Sequence, residues 1–184
     1  AYEISTRDWS SDVCSSDLAL FELFRQRRLP SEFAVLGCAR RPWSDDDFRT
    51  RMAEALKDEI ADHRSAWDNF AAGLFYEPVD LEDAESVVRL GQRLETIDRQ
   101  RATRGNRTFY LSVSPAFYGS GCRALAAAGL LSDPARSRVV IEKPFGRDYG
   151  SAQELNRVVQ SSADWKSTRL NSSHEWISRM PSSA

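Results

Sequence analysis

The feature that most constrains this chain is an alternation. Apolar runs of strand length are separated by longer stretches with helical spacing. FAVLGC (33–38) is almost wholly apolar, RTFYLSV (107–113) has the β-branched and aromatic content of a strand, and SRVVIE (137–142) is a third such run. Short runs of this kind suit strands buried on both faces, as in a parallel sheet. A weaker strand is expected over 75–81, broken by Pro78.

Helical segments fill the gaps. Residues 19–28 (ALFELFRQRR) have apolar positions at helical spacing and end in cations, which favour a helix C-terminus. Leu29-Pro30 stops them. Ser44 opens the next helix with a Ser-x-x-Asp capping pattern, and Asp45, Asp46 and Asp47 lie at its positive end. Its apolar face continues through Phe48, Met52, Ala55, Leu56 and Ile60. Further helices are predicted over 66–74, 82–101, 115–131 and 151–160. The second of these carries a stripe of Ala84, Val87, Val88, Leu90, Leu94 and Ile97. Gly105-Asn106 marks a turn. Strands alternating with helices predict an α/β fold: an incomplete doubly wound, Rossmann-like parallel sheet with helices on both faces.

Composition excludes several partners. The 184 residues carry 25 Lys and Arg against 27 Asp and Glu, a formal net charge of −2. No large positive field is available for nucleic acid or an anionic membrane surface. No apolar run nears the roughly 20 residues of a membrane span. Cys14, Cys38 and Cys122 have neither metal-type nor disulfide-type spacing, so a reducing, cytoplasmic setting is expected. Cys38 and Cys122 read as small core residues, and His63 as a surface residue.

The two ends differ in texture from the middle. Residues 1–18 and 164–184 are Ser-rich and lack useful periodicity. Back-translated, AYEISTRDWSSDVCSSDL has a reverse complement that reads KSTRLNSSHEWISRM, which is the sequence over 166–180. Two such different segments are therefore expected to be one adapter-like DNA translated in opposite directions. On that reading 1–18 and 164–184 are artefactual, disordered tails around a partial NADP-binding domain at 19–163, and they are excluded from fold reasoning.

LGCARRPWSDDDFR, FYLSV and VVIEKPFGRD followed by AQELN, in that order and spacing, resemble the coenzyme-binding domain of glucose-6-phosphate dehydrogenase. The EKPFG block is the most specific, and the resemblance covers about 20–160. It implies oxidation of glucose 6-phosphate to 6-phosphogluconolactone with NADP, in the pentose phosphate pathway. It also implies site residues. Arg40, helped by Arg41, would fork onto the 2′-phosphate that separates NADP from NAD. Asp80 and Leu81 would lie near the adenosine half, although Pro78 and Leu81 depart from the family pattern. Lys143 would reach both coenzyme and sugar, with Pro144 shaping the turn. An ordinary solvated Arg pair, a loop acid before a helix and a surface Lys are the plain alternatives for these positions.

The resemblance also implies parts that these letters lack. A Gly-x-x-Gly-Asp-Leu-Ala phosphate cradle is expected just before Ala19, where DVCSSDL stands. The first strand, the catalytic histidines and the sugar-binding second domain are not found either. No catalytic residue is therefore assigned, and the chain is expected to be inactive alone. Full-length relatives are expected to be oligomeric and this fragment not. The competing readings are a stand-alone NADP-binding or regulatory module without catalysis, and an interaction protein that retains only the fold.

Overall fold

The structure, a computed structural model, describes residues 2–5, 15–141 and 157. Five strands alternate with helices along them: β1 (Tyr2–Ser5), α1 (Ser15–Arg25), β2 (Val35–Ala39), α2 (Asp45–Ala55), α3 (Lys57–Ala61), α4 (Arg64–Ala71), β3 (Leu74–Pro78), α5 (Ala84–Arg101), β4 (Arg107–Ser112), α6 (Tyr118–Ala127) and β5 (Ser137–Ile141). A 3-10 turn (Pro115–Phe117) leads into α6. None of the described helices is long and apolar enough to cross a membrane.

The pairings are all parallel. β1 pairs with β4 in the register Tyr2 to Phe109, β4 with β5 from Arg107 to Ser137, and β2 with β3 from Val35 to Leu74. β1 also lies alongside β2. The ladders form a three-stranded sheet, β1-β4-β5, and a two-stranded sheet, β2-β3; with β1 beside β2 the strands follow across the layer the order β3-β2-β1-β4-β5, the doubly wound order. Two cores result. One gathers Leu36, Cys38, Val87, Leu90, Leu94, Phe109 and Leu111. The other holds Phe21, Phe33, Phe48, Trp67, Phe70 and Tyr76. Alternate residues of β2 feed opposite cores, which is why its run is apolar throughout.

Several local expectations meet the structure closely. Ser44 Oγ accepts from Asp47 N–H at 3.1 Å, and Asp47 Oδ2 accepts from Ser44 N–H at 2.9 Å, a complete capping box. Phe48, Met52, Leu56 and Ile60 are buried. Cys38 and Cys122 are buried core thiols, and burial pushes Cys122 up to about 11. His63, expected at the surface, is instead half-buried as the residue that opens α4. Gly105 forms its turn together with Arg104: both have positive φ, 71° and 59°, and Asn106 N–H donates to Thr103 O at 3.1 Å.

Other expectations are corrected. Regular structure reaches into 1–18, where none was expected. Tyr2–Ser5 forms a strand, and α1 begins at Ser15. The position read as a missing central strand is thus filled by β1, between β2 and β4. Tyr and Ile are strand formers, but four residues give no periodicity, and only the neighbouring strands define the pairing. Leu74 belongs to β3 and not to the preceding helix. Pro78 ends β3 and does not break it, a position where its missing N–H costs no ladder bond. Val88 is exposed, because it falls just off the stripe of Val87, Leu90, Leu94 and Ile97. The helix expected over 115–131 is shorter and ends near Gly129, whose φ is 72°. Of the helix expected over 151–160, only Arg157 is described, and it is helical.

The outer edge of β3 is closed by α2. Asp45 Oδ1 accepts from Tyr76 N–H at 2.7 Å, and Arg49 donates to Leu74 O at 2.8 Å. Side chains thereby satisfy main-chain groups that would otherwise stand open for strand addition. Arg93 from α5 holds Asp45 at 2.6 Å and lies 3.9 Å from Glu77. Burial raises the Glu77 carboxyl, and the Arg93 charge opposes that rise.

Candidate functional site

In an open α/β sheet, ligands sit beyond the carboxyl ends of the strands, where the strand order reverses. Here the chain passes from β1 to β2 on one side and returns to β4 on the other. The crevice is therefore between β1 and β4, at the ends marked by Ser5 and Ser112. Four of the site residues read from sequence, Arg40, Arg41, Asp80 and Leu81, follow strands at this end of the layer. Arg40 and Arg41 follow Ala39 of β2, and Asp80 and Leu81 follow β3. Lys143 lies outside the described residues.

Arg40 and Arg41 are both exposed, on a backbone that is tightly held. Arg41 precedes Pro42, which restricts it to extended conformations. Its carbonyl accepts from Trp43 N–H at 3.0 Å and lies 3.0 Å from the Tyr76 hydroxyl. The same hydroxyl is 3.3 Å from Ala39 O. Burial, with the nearby Cys38 adding to it, pushes the Tyr76 phenol up to about 12, so it stays a donor. The Trp43 ring packs on Tyr76 at 5.5 Å between centroids. Arg41 lies over that indole at 5.7 Å and Arg51, from α2, at 4.3 Å.

Asp80 and Leu81 are placed differently. Asp80 Oδ1 accepts from Glu82 N–H at 3.0 Å, and Asp80 N–H donates to Ser86 Oγ at 2.9 Å. These bonds shape the loop into α5, which Asp83 caps by accepting from Glu85 and Ser86. Leu81 is 8% exposed and turned into the core, where a Cβ on Gly121 would stand 3.2 Å from its Cδ1. Its side chain therefore faces away from any ligand, and only its main chain can meet one.

Sequence reasoning missed four residues at this end: Trp43, Arg51, Tyr76 and Ser112. Trp43 was within reach, since it follows the Arg pair by one Pro. Arg51 and Tyr76 are distant in sequence and come together only through α2 and β3. Ser112 Oγ is buried and has no hydrogen-bond partner among the described residues. An unpaired buried hydroxyl costs about 1–3 kcal/mol. A polar ligand group entering the crevice would satisfy it, so the residues present fit a dinucleotide there. An open pocket of about 510 Å³ lies beside the same region, lined by Trp43, Asp45, Tyr76, Glu77 and Arg93 among others.

Comparison with known proteins decides the family. Residues 17–168 match the family model described as glucose-6-phosphate dehydrogenase, NAD binding domain. The chain belongs to this family. It is 36% identical over 147 residues to glucose-6-phosphate 1-dehydrogenase 2 of Mycobacterium tuberculosis, covering 78% of this chain and 29% of that protein. It is 34% identical over 146 residues to glucose-6-phosphate 1-dehydrogenase of Leuconostoc mesenteroides, covering 79% and 30%. The crystal structure of glucose-6-phosphate 1-dehydrogenase from Mycobacterium avium superposes with a TM-score of 0.69 at 26% identity, over 87% of this chain and 33% of that one. A glucose-6-phosphate dehydrogenase in complex with its substrate glucose-6-phosphate gives 0.70 at 24% identity, which bears on the fold alone. The chain spans about a third of the length of the glucose-6-phosphate dehydrogenases it matches. The nicotinamide-dinucleotide class of coenzyme and the parallel α/β fold, both expected from the sequence, are those of the family.

Proposed function

We propose that this chain is the NADP-binding part of a dehydrogenase that oxidises glucose 6-phosphate to 6-phosphogluconolactone, at the entry to the pentose phosphate pathway in the cytoplasm. The observation that carries the reading is the exposed Arg40-Arg41 pair on a fixed backbone at the carboxyl end of β2. Two guanidinium groups there can fork onto the 2′-phosphate of NADP, a group that NAD lacks. Bound NADP supplies the hydride acceptor. Asp80 and the Leu81 main chain border the adenosine half, and Lys143 reaches toward coenzyme and sugar. The sugar domain, the general base and the oligomer contacts belong to the remainder of a longer enzyme. Assayed as it is, this chain binds coenzyme without turnover: among the described residues no side chain is placed as a general base for the sugar hydroxyl.

Titration of the 184-residue chain with NADP and with NAD, by calorimetry or tryptophan fluorescence, tests this. Tighter binding of NADP than NAD, lost in Arg40→Ala, is the expected result. Equal affinity for the two coenzymes would refute the reading. A second reading, a stand-alone NADP-binding module, is favoured by the complete-looking order of five strands.

A further inference from the structure

The Arg40-Arg41 pair is not the whole cationic equipment at the end of β2. Arg51 projects from the second turn of α2 and stacks over the Trp43 indole at 4.3 Å. Arg41 lies over the same ring at 5.7 Å. A guanidinium within about 6 Å of an indole centroid is attracted by the ring's negative face. Two like charges are thus drawn to one indole. Among the described residues Arg51 has no ion pair. The acid that feels its charge, Asp47, is engaged by the Ser44 N–H and hydroxyl at 2.9 and 2.7 Å.

The indole itself is fixed. It is half-buried, its N–H main-chain group donates to Arg41 O, and its ring packs on buried Tyr76. Pro42 between Arg41 and Trp43 removes a rotation that the turn would otherwise have. Two cations drawn to one rigid ring repel each other. A dianionic phosphate bound beside them would offset that repulsion.

We propose that Trp43 is a positioning residue for coenzyme selection and that Arg51 is a third phosphate-side cation. Trp43 holds the Arg41 and Arg51 guanidinium groups at the carboxyl end of β2, so that together they favour a 2′-phosphorylated dinucleotide over its unphosphorylated counterpart. The inference rests on the reading of the Arg40-Arg41 pair given above.

The test compares NADP and NAD affinities of the full 184-residue chain and its Trp43→Ala, Trp43→Phe, Arg51→Gln and double Trp43→Ala/Arg51→Gln variants. Losing a surface cation–π contact corresponds to a change of about two- to fivefold in binding. Trp43→Ala should weaken NADP by about that factor and leave NAD unchanged. Trp43→Phe should retain most of the preference, since a ring remains. Arg51→Gln should weaken NADP alone and flatten its salt dependence. The double variant should lose less than the product of the single losses, because the two residues act together. A merely structural role for Trp43 would lower both affinities equally, and that result would overturn the proposal. An unchanged NADP-to-NAD ratio in Trp43→Ala and Arg51→Gln, with a clear preference in the parent, would also overturn it and leave the Arg40-Arg41 reading standing. No preference in the parent would overturn the Arg40-Arg41 reading itself. Should Trp43→Ala fail to fold, Trp43→Phe and Arg51→Gln carry the comparison.

Discussion

Gly37 stands in the middle of β2, and a methyl group added there has no room. An ideal Cβ would lie 2.7 Å from Cζ and 2.9 Å from Cε2 of Phe48. Unbonded carbons settle about 3.5–4.0 Å apart, so the ring or the strand must move by about 1 Å. Phe48 is 1% exposed, and its ring packs on Tyr76 at 5.6 Å. Its helix, α2, is tied to β3 through Asp45 and Arg49. Neither partner can retreat into solvent. Overpacking of this kind costs about 1–3 kcal/mol. For a chain of this size that is a fall in Tm of about 2–12 °C for Gly37→Ala. Urea unfolding followed by circular dichroism gives the free energy, and a thermal melt gives the shift. The same substitution in a Phe48→Leu background should cost less by more than about 0.5 kcal/mol, because the smaller side chain vacates the contact. An unchanged Tm in Gly37→Ala, or the same cost in both backgrounds, would refute the steric reasoning.

Four further outcomes are expected. Arg104→Gly should stabilise the chain by about 1 kcal/mol, since Arg104 adopts φ 59° without being glycine, and a melt that fails to rise would contradict this. Ser44→Ala should cost about 0.5–2 kcal/mol through the lost cap, measured by urea unfolding. The Ser44 hydroxyl, followed by its main-chain N–H, lowers the Asp47 carboxyl. The box is therefore fully effective above the ordinary carboxylate value and weakens as pH falls through the lowered one, and Asp47→Asn should remove that acid dependence. Tyr76 has the opposite sign. Its folded value, about 12, lies above the usual 10, so its contribution is complete below pH 10 and is lost between about 10 and 12. Alkaline stability curves of the parent and Tyr76→Phe should differ in slope there, and parallel curves would disprove the assignment.

Much of this architecture is written in local sequence. The Ser44–Asp47 box, the stripe of Val87, Leu90, Leu94 and Ile97, and the strands β2 and β4 follow from near neighbours, whereas β5, read as buried, has Val140 41% exposed. A cap needs two residues three apart, and a buried stripe needs only helical period. The position of Arg40-Arg41 was legible for the same reason, since it follows directly on a recognisable strand, whereas a coenzyme role for the pair came only from the family resemblance. Because caps, periods and strand runs are local, they also gave the α/β class and the end of the sheet where a ligand would sit.

Other features depend on which distant segments meet, and no local pattern encodes that. Tyr2–Ser5 is a strand because a slot exists between β2 and β4, while its own four letters carry too little propensity to announce it. Leu81 faces the core because α6 presents Gly121 opposite it. Asp45 and Arg49 read as ordinary helix charges until β3 arrives with Tyr76 N–H and Leu74 O unpaired. Trp43, Arg51 and Tyr76 become one cluster only when α2 and β3 pack beside the end of β2. Sequence thus determined what each segment is, because backbone preference and side-chain period act within a few residues. Tertiary structure decided what each side chain touches, because burial and pairing act between segments whose separation along the chain says nothing of their distance in space.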